Sequence, residues 1–218
     1  MENYIERYEN DKYRLTIYND TTPQDPREWS NLGTMLTWSR NGLGDKNDYS
    51  SPSDFLISIL HFNGVPVKDD ESISKLFDRA SKYALILPLF LYEHSGMSMR
   101  TYRFGPDPYW DCCQVGYIYA THGQIKQEYG SLTQENIEKA KKVLEGEVET
   151  YSLFIEGEVY GYKLEEKSLC SHCGHADYNE TDSCWGFYGS DWKVNSLLES
   201  VSLDKADLEL LMNTKITA

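Results

Sequence analysis

The sequence predicts an α+β protein: a single composite domain over residues 1–218, built on a mostly antiparallel sheet of about five or six strands with helices packed on it. Three observations lead there. Segments with strand alternation and segments with helical spacing both occur, without the regular β-α-β order of a parallel sheet. No internal repeat, low-complexity tract or Pro/Gly/Ser-rich linker separates two independent domains. At 218 residues, with 40% hydrophobic and 13% aromatic content, the chain carries enough apolar material for a sizeable core.

Taken in order, residues 14–19 (RLTIYN) place Leu15 and Ile17 on one face. Residues 33–38 (GTMLTW) follow the turn-rich run 20–26, and the two segments predict neighbouring strands of one sheet. Residues 53–62 carry Phe55, Ile59 and Phe62 at the spacing of a core-facing helix, opened by Pro52 and a Ser-Asp pair. A second helix over 70–83 has the stripe Ile73, Leu76, Phe77 and Ala80. Residues 85–92 are apolar throughout, as in a central strand, and Pro88 requires a bulge or an edge there. Residues 114–121 (QVGYIYAT) alternate as a further strand.

Thr133 is a natural N-cap for a long helix whose stripe Ile137, Ala140, Leu144, Val148, Tyr151 and Ile155 runs to a stop at Gly157. Glu135 with Lys139 and Glu138 with Lys142 add i,i+4 support. Residues 158–164 predict a strand with Tyr160 and Tyr162 on one face, and 184–188 the last strand. Two short helices close the chain: 192–201, and one capped by Ser202 with Leu203, Ala206, Leu208 and Leu211 inward.

The charge balance is 21 Lys and Arg against 35 Asp and Glu, a formal −14, which opposes binding to a phosphate backbone and excludes a general nucleic-acid binder. The first twenty residues lack the basic start and apolar run of a secretory leader, and the longest apolar stretch, 83–92, is too short to span a bilayer. A soluble protein of the host-cell cytoplasm, with no membrane partner, is expected. Five cysteines, two of them adjacent, form no disulfide framework and suit a reducing compartment.

Several stretches read as more than scaffold: PREWSNLGTM (26–35), LGD (43–45), LYEHSG (91–96), WDCCQVG (110–116), EVETY (147–151), GEVYGY (157–162) and DSCWGFYG (182–189). Together, in this order, they resemble a family of small acidic proteins of phages, prophages and plasmids of low-GC Gram-positive bacteria. The resemblance covers residues 14–190, although the family has Ser-Gly where this chain has Cys112-Cys113, and its pattern lacks the later Cys-x-x-Cys. What it implies is an accessory gene of a mobile element, of the kind that acts against host defence.

Three constellations carry candidate chemistry. Cys170, Cys173 and His175 (or His172), with Cys184, have the donor types of a tetrahedral structural zinc site, provided that 174–183 folds back; otherwise Cys184 packs in a strand and the others are surface thiols. Glu28, Asp45, His94 and Asp111 fall at turns or strand ends and, if they converge, make a carboxylate–imidazole cluster for a divalent ion or acid–base work. The alternative is that Asp45 and Asp111 cap turns, Glu28 pairs with Arg27 or Arg40, and His94 bonds a loop carbonyl. Cys112 is a candidate nucleophile if His94 or His122 assists it. The run Gly42-Leu43-Gly44-Asp45 lacks the spacing of a dinucleotide loop or a P-loop, and no calcium loop follows.

The third constellation is electrostatic. Between 145 and 182 ten acids face two lysines, and Glu145, Glu147, Glu149, Glu156, Glu158, Glu165 and Glu166 are the expected partner-binding set. On one face they would imitate the charge of a duplex; the alternative is ordinary solvation. The expected function is an anti-defence protein that inhibits a host nucleic-acid-handling effector, of CRISPR or restriction type, by occupying its basic groove. Alternatives are a metal-dependent enzyme acting on nucleotides or nucleic acid, and a sponge for a nucleotide signal whose bases its tyrosines would stack.

Overall fold

A computed structural model of the chain describes residues 4–93, 96–103 and 112–216. The first half contains β1 (Glu6–Glu9), β2 (Tyr13–Asn19), β3 (Thr34–Thr37), α1 (Pro52–Phe62), α2 (Ile73–Ala80), β4 (Ala84–Glu93) and β5 (Met97–Arg100). The second half contains β6 (Cys112–Thr121), α3 (His122–Tyr129), α4 (Gln134–Glu156), β7 (Val159–Leu169), β8 (Ala176–Tyr188), α5 (Leu197–Ser200), α6 (Lys205–Met212) and β9 (Lys215–Ile216). Every strand pairing is antiparallel, so the chain is α+β as expected. Among the described residues no helix is long and apolar enough to cross a membrane.

Contacts divide the chain into two compact units, Asp25–Glu156 and the pair Met1–Gln24 with Gly157–Ala218, called here the central and the split unit. The strands follow that division, in two sheets. β2 and β3 are therefore not neighbours: β2 pairs with β1 and β7, whereas β3 pairs with β6.

The central unit is a four-stranded sheet, ordered β3-β6-β4-β5, with apolar layers on both faces. Ile125 of α3 and Ala140, Leu144, Val148 and Tyr151 of α4 pack with Met35, Leu89, Leu91 and Ile118. On the other face Phe55, Leu56, Leu60, Leu76 and Ala80 of α1 and α2 pack with Leu36, Ile86 and Tyr117. Burial on both faces explains why β4 reads as continuously apolar. Pro88 faces no partner on the β5 side, where pairing covers Phe90 to Glu93, and the register shifts between Leu89 and Phe90. Gly116 is obligatory: a Cβ there would lie 1.9 Å from the Leu36 carbonyl oxygen of β3.

α4 follows its stripe closely, with Thr133 Oγ1 accepting from the Asn136 amide at 3.2 Å, and Gly157 ending it at φ 75°. α1 departs from expectation at its end. Phe62 is 90% exposed, and Leu56 and Leu60 share the inward positions with Phe55 and Ile59.

In the split unit the sheet order is β8-β7-β2-β1-β9. Tyr8, Leu15, Ile17, Tyr160, Tyr162 and Leu164 form one face and pack with Leu197, Val201 and Leu211 of the C-terminal segment. Alternation and register place Arg7, Arg14, Thr16, Tyr18, Lys163 and Trp185 on the opposite face. The expected helix 192–201 is a single turn, α5, and the last helix is capped by Asp204 rather than Ser202, its carboxylate accepting from the Asp207 amide at 2.9 Å. β8 is the largest difference, beginning at Ala176 rather than at 184.

Candidate functional site

The most densely bonded polar group in the central unit is built by three of the conspicuous sequence stretches. Pro26–Glu28 form one 3-10 turn, capped by Asp25, whose side chain accepts from the Arg27 amide at 2.8 Å. The turn sends Arg27 inward, leaving its side chain 5% exposed. Its guanidinium donates to both oxygens of Asp45, Nε to Oδ1 at 2.9 Å and Nη2 to Oδ2 at 2.8 Å. Nη1 donates to Glu147 Oε2 at 3.1 Å, and Nη2 also reaches the Gly33 carbonyl at 2.7 Å. Asp45 Oδ2 accepts the Met35 amide, and Glu147 Oε1 accepts the amides of Leu32 and Gly33. Gly44, at φ 79°, donates its amide to the Tyr151 hydroxyl at 2.9 Å.

Although burial alone would lower it, the pKa of Arg27 is raised by Asp45 and Glu147, so the cation is fixed. Such a hub holds one cation against two carboxylates away from water, and each lone pair in use is spent on a fixed donor. It is a clamp that ties the 25–33 loop and the 43–45 turn to α4. Both oxygens of Asp45 are thus engaged by Arg27 and the Met35 amide, and Glu147, 10% exposed, is turned to Arg27 and the 32–33 amides rather than to the surface. Glu28 is exposed and bonds neither Arg27 nor Asp45. His94 and Asp111, the other members of the expected cluster, lie outside the described residues.

The remaining acids are used unequally. Glu165 makes a two-pronged pair with Arg14 (2.6 and 2.8 Å), Glu180 pairs with Lys163 at 3.0 Å, and Glu145 lies 3.9 Å from Lys141. Asp182 accepts from the Tyr162 hydroxyl and the Ser202 amide; burial opposes ionisation, but these donors hold its carboxyl below the usual range. Glu149, Glu156 and Glu166 are exposed, Glu156 accepting from the buried Ser152 hydroxyl at 2.5 Å, and Glu158 is half-buried. Glu165, like Glu147, is thus part of the structure's internal pairing rather than a free contact.

The zinc constellation is corrected by β8. Residues 176–188 run as one strand, placing Cys184 opposite Tyr162, whereas Cys170 and Cys173 lie in the turn beyond Leu169. Eight residues of extended chain separate Tyr162 from Cys170, about 26 Å. Cys184 cannot complete a site with them, and the His175 imidazole lies 3.8 Å from the Asp177 carboxylate. Among the described residues of one chain, no group of three or more metal-binding side chains is gathered. Cys112 is buried at the opposite end of β6 from His122, about 30 Å away at strand rise, which removes that pairing.

Sequence reasoning missed a cavity of about 530 Å³ in the central unit, between α1 and the β6–α3 junction. Tyr49, Tyr83 and Tyr119 line it with Asn63, Thr121, His122 and Gln124. A reciprocal capping box fixes its polar side: Gln124 accepts from the Thr121 amide at 2.8 Å, and Thr121 Oγ1 accepts from the Gln124 amide at 3.2 Å. Burial lowers the pKa of His122 and so keeps its ring neutral at pH 7, and raises that of Tyr119. The only sequence signal was the density of tyrosines, which does not say which of them face a common space. No family model, curated protein or solved structure matches the chain.

Proposed function

We propose that the protein is a non-enzymatic binding protein of a mobile element, acting in the host cytoplasm against a nucleic-acid-handling immune effector of CRISPR or restriction type by presenting carboxylates to its basic groove. One observation supports this above others: the acid surplus belongs to both units and is not consumed by internal pairs. The central unit has 19 acids against 13 Lys and Arg, and the split unit 16 against 8. Such a surplus steers a cationic groove towards the surface and repels free nucleic acid. The contact set is Glu149, Glu158 and Glu166, with Glu147 and Glu165 left to their arginines and Glu156 to the buried Ser152 hydroxyl.

Charge reversal at those three positions should abolish capture of the effector and protection of an infecting phage, with the circular dichroism spectrum and melting temperature unchanged. Full inhibition by the reversed protein would remove the mechanism. In the unmodified protein, complex formation should weaken steeply between 50 and 500 mM salt, conditions that leave an apolar interface intact.

The tyrosine-lined cavity favours a second reading, a sponge for a nucleotide signal. Its volume suits a small ligand, and its rings offer stacking faces beside fixed hydroxyl and amide groups. A cyclic or linear oligonucleotide at a hundred times its Kd should stabilise the fold by about 2.7 kcal/mol. A Tyr83→Ala variant should lose that shift; flat melting curves across a nucleotide panel would dispose of this reading.

A further inference from the structure

The turn that closes the β7–β8 hairpin reads Cys170-Ser171-His172-Cys173-Gly174-His175, and neither reading above uses it. Its backbone is locked by two hydrogen bonds of 2.8 Å, from the Cys170 amide to the His175 carbonyl and from the Gly174 amide to the Cys170 carbonyl. Gly174 adopts φ 70°, which a side chain would strain. The turn holds Cys170 and Cys173, three residues apart, at one end of the hairpin with both side chains exposed. Two exposed thiols at Cys-x-x-Cys spacing in a fixed turn are two of the four ligands that a tetrahedral thiolate site requires.

The position of the turn decides how such a site is completed. β2 accompanies β7 only as far as Glu166, so residues 168–177 pair with one another alone and project about 10 Å beyond β2. Both cysteines are exposed, as is the apolar side chain of Leu169 beside them. Cys184 is too distant, and among the described residues no third metal-binding side chain of the same chain is gathered with the pair. The tip is one half of a tetrahedral ligand set, carried on an arm that a second copy can meet end to end.

We infer that two copies of this chain share one Zn²⁺ ion at their hairpin tips, each supplying Cys170 and Cys173, with the two Leu169 side chains packed beside the metal. Loading takes up one Zn²⁺, releases four thiol protons to solvent and forms four Zn–S bonds, with no change of oxidation state. The linked chains each carry a formal −14, so salt screens their repulsion and strengthens the link. That is opposite to the salt response of a complex with a basic effector, and the two interactions are separable by this sign.

The test uses the full chain, reduced and stripped of metal, titrated with Zn²⁺ alone and followed by light-scattering mass and elemental analysis after gel filtration. The expected result is a mass that doubles at half an equivalent of zinc per chain and reverts with a chelator. Cys170→Ser and Cys173→Ser should each remain single chains without metal, whereas Cys184→Ser and Cys113→Ser should behave as the parent. All four positions lie outside the buried cores, and unchanged melting curves will show that loss of zinc is not loss of fold. One zinc per undimerised chain would overturn the shared site, as would doubling that survives both tip substitutions. Absence of zinc uptake, or a Cys170–Cys173 disulfide that forms in place of the metal complex, would overturn the metal itself.

Discussion

The two units use the same chemistry at different depths. In the central unit an arginine holds two carboxylates beneath the surface of a sheet covered on both faces; in the split unit Arg14 holds Glu165 on the sheet face opposite the apolar one, under the ring of Tyr178, 3.6 Å from its centroid. Arg27 is 5% exposed and Arg14 19%, and the difference governs what each pair is worth. Near water, a lost partner is replaced by solvent; in the clamp, removal of one charge strands the others and their amide donors.

The strongest way to break this comparison is Glu147→Ala, which leaves part of the Arg27 charge and the amides of Leu32 and Gly33 without their acceptor. A loss of about 3–5 kcal/mol is expected in urea unfolding. A loss below 1 kcal/mol would mean that water reaches the clamp and that depth does not distinguish the arginines. Next is a pair of glycine substitutions. Gly116→Ala drives a methyl to 1.9 Å from the Leu36 carbonyl oxygen of β3 and should cost about 3 kcal/mol or more; Gly161→Ala meets the Trp185 ring at 2.2 Å and the Cys184 carbonyl oxygen at only 2.8 Å, a milder backbone clash, and should cost about 1–3 kcal/mol. Equal losses would show the split unit to be packed as rigidly as the central one.

Arg14→Ala should cost about 1 kcal/mol, since a two-pronged pair at this exposure exceeds the usual surface value only slightly. Acidification sharpens the contrast further. Burial works against the Glu6, Glu9 and Asp182 charges, yet hydrogen bonds prevail and hold all three carboxyls below their ordinary values of 4.5, 4.5 and 3.8. Lys215, Tyr8 and Trp192 serve Glu6, Tyr178 and Lys167 serve Glu9, and Tyr162 and Ser202 serve Asp182. Groups depressed in the folded state stabilise above their unfolded pKa, and that stability is lost as pH falls through the folded pKa. Amide protection factors in β1 and β2, corrected for the intrinsic exchange rate at each pH, should therefore fall below pH 4.5 before those in β4 and β6; the reverse order would contradict it. The smallest effect is that of Lys163→Ala, whose exposed pair with Glu180 should leave the melting temperature unchanged.

Elements with a buried stripe were legible in the sequence, and those without one were not. α4 declared itself through six apolar positions at helical spacing, a threonine cap and a terminal glycine. The first half of β8, ADYNETDS, alternates nothing, because it pairs with β7 along the edge and past the end of the sheet, where there is no core to select apolar residues. β1 is four residues long and α3 buries only Ile125, too little signal for either. The clamp was visible only as unrelated pieces. Arg27, Asp45 and Glu147 each stood in a conspicuous stretch, but a contact spanning 120 residues leaves no trace in local periodicity. The zinc ligands show the same limit: spacing identified Cys170 and Cys173, and only the strand register showed Cys184 to be far away.

The split unit is assembled from both sides of a 132-residue insertion, residues 25–156, and this sets an order of events during synthesis. β2 leaves the ribosome long before β7, its neighbour in the sheet; at ~5–20 residues per second the wait is on the order of ten seconds. Throughout that interval Leu15 and Ile17 have no cover, while the intervening segment is contiguous and free to fold. A nascent chain arrested once residue 156 has cleared the ribosome exit tunnel should therefore yield a protease-resistant central fragment while residues 1–24 stay digestible and exposed to chaperones.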